Sequence, residues 1–244
     1  MIFRRRRNIL VAFVFAVAVG AYSASVSQSP SAPLTAAQII DELQRHNLAR
    51  NAALQKATAT RVYQVEYRGF TKVINARLEV EYSYSAATGK SFRIVKQSGS
   101  KMLCEKVLKR AVESEKEASQ DKSATALTAA NYRFRLLGSE SLDGRPAFML
   151  EVEPIAPSKF LIRGKIWIDA MEFALMKVEA EPAQSPSFWI ARTRIEQICA
   201  RSDGFWLPQL NRSETKVRVG GTAVFTIDYG SYQIASNTAS AQLH

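Results

Sequence analysis

Thr88-Gly89-Lys90-Ser91 ends like a phosphate-binding loop, whose backbone N–H groups and lysine cradle phosphate oxygens. The position where that motif needs its first glycine holds Tyr84, and strand-like residues stand where a helix should follow, so a hairpin turn is the better account. Glu79 and Glu81 place two carboxylates on one strand face, a pairing that glycosidases use as acid and base. They share that face with Arg77, which fits a solvated outer surface. His46 lies one helical turn from both Glu42 and Arg50, His244 is terminal, and neither has Cys, Asp or Glu at metal-ligand spacing. With two cysteines, Cys104 and Cys199, a four-thiolate zinc site is excluded as well. The sequence therefore predicts no catalytic residue, no metal and no cofactor, and the chain reads as a binding or structural protein and not as an enzyme.

The elements that would position any site follow from composition and periodicity. Of 244 residues, 47% are hydrophobic and 23% charged, enough to bury the core of one domain or at most two small ones. Residues 1–24 have the parts of a secretory signal: Arg4 to Arg7, an apolar run from Ile9 to Ala21, and small residues around Ser23 and Ser25. That run, about 13 residues, is short of the ~20 that cross a hydrocarbon core, so cleavage and release into the periplasm is the first reading and an uncleaved anchor the alternative. Residues 25–34 are a Ser/Pro/Ala linker, 35–236 the domain, and 237–244 a flexible tail. Thr35 and Gln38 have the spacing of a capping box, and Ile39, Ile40, Leu43, Asn47 and Leu54 recur at helical spacing to about Lys56.

From Thr60 the period becomes two. Tyr63, Val65 and Tyr67 share one face, and Ala76, Leu78, Val80, Tyr82 and Tyr84 share another. The alternation continues to Tyr232, with turn signals at Thr88-Gly89, Asp143-Gly144, Asp203-Gly204 and Gly220-Gly221. About 11 strands result, counting Phe205 to Leu207 and Arg212 to Val219 separately and Ala223 to Tyr232 as one. A helical stretch from Leu103 to Ser119 interrupts after the third strand. A sheet of that length curls as twist accumulates, and its concave face is where the helices can bury their apolar stripes. The predicted fold class is α+β, mainly β: a single large curled antiparallel sheet with an N-terminal helix and an inserted helix packed on the concave face.

This order of elements resembles the bacterial outer-membrane lipoprotein-carrier superfamily, of the LolA and LolB type, with the N-terminal part of RseB as a relative. The residues that carry the resemblance are Leu54 followed by Arg61-Val62-Tyr63, then Gly164 to Asp169 and Ala174 to Glu179, and later Gly204 to Pro208 and Ile227 to Tyr232. The resemblance implies an incomplete, half-open barrel with a hydrophobic interior that holds acyl chains. It also implies that an arginine on a strand, with interior aromatic residues, governs opening and closing; the sequence does not place that arginine. No cysteine stands at the cleavage site for lipidation, which favours the soluble carrier type, and the charged insert from Glu105 to Lys122 departs from the compact carriers.

Tyr82, Phe134, Phe148, Phe160, Trp167, Phe188 and Trp189 are the candidates for lining a hydrophobic ligand cavity, with plain core packing the alternative for each. Trp167 shares a face with Arg163, Lys165 and Asp169, which also fits an outward position. Cys104 and Cys199 could close a loop of about 95 residues, worth roughly 4–5 kcal/mol if bonded; two buried thiols are the alternative. The net charge of +11 is scattered, and acids share the Lys101 to Lys122 segment, so nucleic acid is not an expected partner. Anionic lipid head groups suit that charge better. The function expected is periplasmic carriage of hydrophobic ligands, most of all acyl chains of lipoproteins or lipids. The protein would act as a monomeric transport chaperone in outer-membrane biogenesis, with inner- or outer-membrane transport components as further partners. The alternatives are an envelope-stress sensor or regulatory module, and a structural envelope protein with a filled core. Whether the concave face is empty or packed separates these readings.

Overall fold

The computed structural model describes residues 33–120, 123–158, 160–184, 190–218 and 220–237. The predicted secretory signal, almost all of the predicted linker, Phe188, Trp189 and all but the first residue of the predicted tail lie outside the described residues. Helix α1 (Ala36–Ala53) starts as its sequence predicts. The Thr35 side chain accepts a hydrogen bond from the Gln38 backbone N–H, and the Gln38 side chain accepts one from the Thr35 N–H at 2.9 Å. The helix ends at Ala53, not near Lys56, because Leu54 is already extended and opens the first strand. Leu54 pairs with Ser236 on one side and Lys56 with Ser85 on the other, so ladder bonds on both flanks outweigh the helical spacing of a single leucine.

Strands β1 (Leu54–Arg68), β2 (Val73–Ser85) and β3 (Gly89–Gly99) form a meander. The inserted helix follows, as α2 (Lys101–Leu103), a π-helical turn (Cys104–Leu108) and α3 (Lys109–Gln120). A second meander runs through β4 (Tyr132–Leu142), β5 (Arg145–Pro154), β6 (Ile162–Asp169), β7 (Leu175–Pro182), β8 (Ile190–Ser202) and β9 (Phe205–Val217). Then β10 (Thr222–Asp228) and β11 (Gln233–Ser236) return to β1. All pairings are antiparallel in one 11-stranded sheet, ordered β3-β2-β1-β10-β9-β8-β7-β6-β5-β4 with β11 beside β1, and β3 and β4 remain its edges. The strand total agrees with the sequence reading, but the divisions differ. Phe205 and Val217 lie in one strand, since Ser202 to Ile190 of β8 offer a continuous partner. The final alternating run breaks instead at Gly230, whose φ of +63° turns the chain out of the strand and yields β11.

Directly opposed residues in neighbouring strands share a face, and one row can be followed across the sheet. It reads Leu78, Tyr63, Ile227, Asn211, Gln197, Val178, Ile166, Leu150 and Leu136 from β2 to β4. Both helices pack on the face this row marks, as predicted. Ile39, Ile40 and Leu43 of α1, at 0–2% exposure, bury Leu150, Val152, Ile166, Ile168 and Val178. Leu103, Cys104, Leu108 and Val112 of the inserted helix bury Tyr63, Val65, Leu78, Val80 and Ile227. Between the two apolar halves, β8 and β9 turn Thr193, Gln197, Asn211, Ser213 and Thr215 to the same face. There the Thr193 and Thr215 hydroxyls are 3.0 Å apart and Asn211 Nδ2 donates to Gln197 Oε1 at 3.4 Å. The concave face is thus packed beneath each helix and mostly polar in the middle, where Ile195 is the apolar residue among these side chains.

Candidate functional site

The most unusual chemistry on this face is a buried charge. Alternation along β1 turns Arg61 inward with Tyr63 and Val65, and its whole residue is 4% exposed. The guanidinium carbon lies 3.5 Å from the ring centre of Tyr82, 4.7 Å from Tyr229 and 5.6 Å from Phe92, so aromatic faces surround the cation. Its Nη1 donates to Glu115 Oε2 at 2.8 Å, and the Tyr63 hydroxyl donates to the other carboxylate oxygen, Oε1, also at 2.8 Å. Arg61 Nε and the Tyr232 hydroxyl are buried without a hydrogen-bond partner among the described residues. One carboxylate on α3 is therefore what binds the sheet's buried cation to the inserted helix.

Burial dominates the titration of this cluster. It pulls the Arg61 guanidinium down, and Glu115 and the tyrosines around it more than offset that, leaving its pKa above the ordinary value. Burial raises the phenols of Tyr63, Tyr82 and Tyr229, and pushes Tyr232 up to about 12. At neutral pH the site is a single positive bolt in a protonated aromatic cage, closed by the Glu115 carboxylate.

Helix α1 is fastened differently. Arg50 donates to the backbone carbonyls of Glu172 at 2.9 Å and Phe173 at 2.8 Å. The His46 ring stacks on Phe173 at 5.6 Å, and Phe173 in turn stacks on Phe148 at 6.1 Å. Desolvation, with Arg45 and Arg50 nearby, lowers the pKa of His46, which stays neutral at neutral pH. The β6–β7 turn that receives these contacts is held by the fully buried Asp169. Its Oδ1 accepts the N–H of Met171 at 2.9 Å and of Glu172 at 2.7 Å, and its Oδ2 accepts Arg145 Nε at 2.5 Å. Arg145 also reaches Glu172, which accepts the Trp206 indole N–H at 3.0 Å. This helix is anchored by apolar burial and by contacts to an ordered turn.

The described candidates for a cavity lie in different parts of the sheet. Tyr82 joins the Arg61 cage, while Phe134 and Phe148 face the concave side under the α1 half. Phe160 is half-buried just ahead of β6. Trp167 points to the convex side, one residue out of phase with the inward Ile166 and Ile168. There it packs with Ala147 and Met176, its ring lies 5.4 Å from Lys177 Nζ, and its indole N–H donates to Glu140. A hollow of 350 Å³ also opens on that outer side, between Leu142, Met176, Ile198 and Trp206. The bond that the sequence permits between the cysteines is not formed. Cys104 lies under the inserted helix, its thiol directed at the Ser98 carbonyl, whereas the Cys199 thiol shares the face of Gln197, whose Nε2 donates to it at 3.6 Å, and burial raises its pKa.

Glu79 and Glu81 lie on the outer face as expected, paired with Arg77 and Arg93, and Thr88-Gly89 forms the β2–β3 hairpin. Among the described residues no three His, Cys, Asp or Glu side chains gather as for a metal ion. Sequence reasoning missed Arg61, Glu115 and the Asp169–Arg145 pair. The signal for Arg61 was present: it has the parity of Tyr63 and Val65, which marks it as inward.

No model of a known family matches the chain, and no curated protein does. Solved structures do. A LolA-superfamily protein from Nitrosomonas europaea is 13% identical with a TM-score of 0.35, over 83% of this chain and 94% of that one. A DUF1329 family protein from Desulfovibrio piger is 11% identical with a TM-score of 0.39, over 86% and 98%. MucB is 14% identical with a TM-score of 0.31, over 80% and 92%. These structures include the families that the order of elements in the sequence resembles.

Proposed function

We propose that the chain is a periplasmic, non-catalytic carrier of hydrophobic ligands, with acyl chains of lipoproteins or lipids as cargo, and that the structure is its closed form. The observation that carries this reading is the Arg61–Glu115 bolt: a cation 4% exposed, whose carboxylate partner sits on a helix that covers apolar strands. A permanent core gains little from a buried ion pair, because well-packed apolar residues of similar volume hold it at least as well. A cover that must both close and lift gains a discrete latch. Acyl-chain energetics suit such a cover. Four apolar side chains of the inserted helix contribute roughly 6–10 kcal/mol when buried, and an acyl chain of about 15 methylenes contributes ~12 kcal/mol in the same place. A ligand can therefore replace the helix on the sheet, and a membrane can take the ligand back at little net cost.

The packing beneath both helices also favours a second reading, a structural protein whose core is filled for good. Native mass spectrometry with lipid extraction, on protein from an envelope fraction, separates the two. Acyl-bearing adducts that exchange with added lipid, and that rise in Glu115→Gln, support the carrier. Clean apo masses for both folded proteins after incubation with lipid would establish the filled core instead.

A further inference from the structure

The end of the sheet where β1 turns into β2, and β9 into β10, has features that the interior does not use. Because β1 lies between β2 and β10, the two turns are neighbours. Register sets Val73, Arg68, Thr222, Lys216 and Arg192 in one row across the convex face beside them. At the crest of the first turn Phe70 is 87% exposed, and Val73 behind it 61%. The crest is braced. Gly69 N–H donates to the Lys72 carbonyl at 2.9 Å, Gly220 N–H to the Val217 carbonyl at 3.1 Å, and the Tyr67 hydroxyl links the two turns through the Gly220 carbonyl at 2.9 Å. Gly220 has φ +114°, and a Cβ there would stand 2.1 Å from the Phe70 ring, so only glycine lets the ring lie over the second turn. The turn that carries Phe70 is therefore ordered, and its exposed ring lies over Gly220.

The charges around it have one sign in excess. Arg68 pairs with Glu66 at 2.5 Å and Arg192 with Glu181, and Glu214 is the remaining acid nearby. Lys72 and Lys216 form no ion pair among the described residues, nor does Arg194 one row further in. An exposed aromatic ring with cations close behind it has the chemistry of a bilayer interface, where the ring enters the acyl boundary and the cations stay at the phosphates. A stable protein interface needs about 800 Å² from each partner, far more than two apolar side chains on a narrow crest provide. A lipid surface asks for no matching shape.

We propose that this crest docks the protein on an anionic lipid bilayer, with Phe70 in the interface and Lys72, Lys216, Arg68 and Arg192 at the head-group phosphates. The docking is independent of what the interior carries. The test is co-sedimentation of the purified chain with vesicles of phosphatidylglycerol and phosphatidylethanolamine, against vesicles of phosphatidylcholine, at low and high salt. The protein is expected to partition to the anionic vesicles at low salt. Phe70→Ser should lower that partition about tenfold, and Lys72→Gln with Lys216→Gln about twenty-five-fold, about fivefold for each cation. Leu48→Ser, at another exposed apolar residue on α1 (72% exposed), should leave it unchanged. The fluorescence of Phe70→Trp should shift to the blue on anionic vesicles alone, a readout at the crest that ligand uptake inside the sheet would not produce. Wild-type protein that stays in the supernatant at low salt would overturn the proposal. So would full binding by both crest variants, or a blue shift that follows protein concentration without lipid.

Discussion

Replacing Glu115 with leucine removes the carboxylate that compensates Arg61, and the structure sets the size of the effect. The Arg61 side chain is 5% exposed and that of Glu115 26%. Breaking a buried ion pair by deleting one partner costs about 3–5 kcal/mol; the partial exposure of Glu115 lets water into the vacated place, which points to the lower end. The Tyr63 hydroxyl loses its acceptor as well, adding about 1 kcal/mol. The expected loss is thus ~4 kcal/mol for Glu115→Leu, and ~2–3 kcal/mol for Glu115→Gln, which keeps an acceptor for Tyr63. At about 2–4 °C per kcal/mol for a domain of this size, Glu115→Leu should melt ~8–16 °C below wild type by circular dichroism. Arg61→Leu combined with Glu115→Leu should recover at least 2 kcal/mol of that loss, since no unpaired charge remains. Glu115→Leu within about 0.5 kcal/mol of wild type, or a double variant at the sum of the two singles, would refute the latch.

Phe148→Asp would set a carboxylate on the concave face against Phe173 and the α1 half of the core, at a cost of about 3 kcal/mol or more in urea unfolding; unchanged stability would mean that the strand faces are inverted. Acid stability should depend on Asp169. Burial pushes its carboxyl up, but Arg145 and the N–H groups of Glu172 and Met171 outweigh that and hold it below the ordinary range. Its contribution is therefore present above the unfolded value near 3.9 and lost as pH falls through the lower folded value. Arg145→Leu should move the acid loss of thermal stability to higher pH, and melts that superimpose on wild type would refute this. Alkaline pH should open the Arg61 cage. Its buried phenols are raised, Tyr232 to about 12, so their stabilisation is full below the unfolded value near 10 and disappears as pH rises through the folded values. Phenolate absorbance from these tyrosines should then rise together with loss of circular dichroism, and titration near 10 in an intact fold would contradict the burial.

Local patterns in the sequence were enough for the capped start of α1, the hairpin turns, the inserted helix and the antiparallel order, because each is written in neighbouring residues. The end of α1 was not, since Leu54 has helical spacing and only its partners Ser236 and Ser85, distant in the chain, make it a strand residue. The same limit applies to the site. Tyr82 was found as a large inward aromatic, but the residue it surrounds is an arginine, and an arginine on a strand is normally read as solvated. Nothing in the sequence marks Glu115, rather than Glu113 or Glu117, as the one that faces Arg61. For Trp167 the sequence left two readings, interior by size and outward by the face it shares with Arg163, Lys165 and Asp169, and its parity against the inward Ile166 and Ile168 places it outward.

The place of β1 in the sheet governs how the molecule can be made. Every other pairing within the two meanders joins strands that follow one another, and these can zip as soon as they are synthesised. One ladder edge of β1 is satisfied only by strands far along the chain, since Val62 pairs with Asp228 and Leu54 with Ser236. β9 pairs with β10 from the other side. Until the last stretch of chain has emerged, the protein is two separate hairpin stacks, each with an unsatisfied edge open to pairing with another chain. The concave face is thus complete only when the strands most distant in the chain, β1 with β10 and β11, have paired.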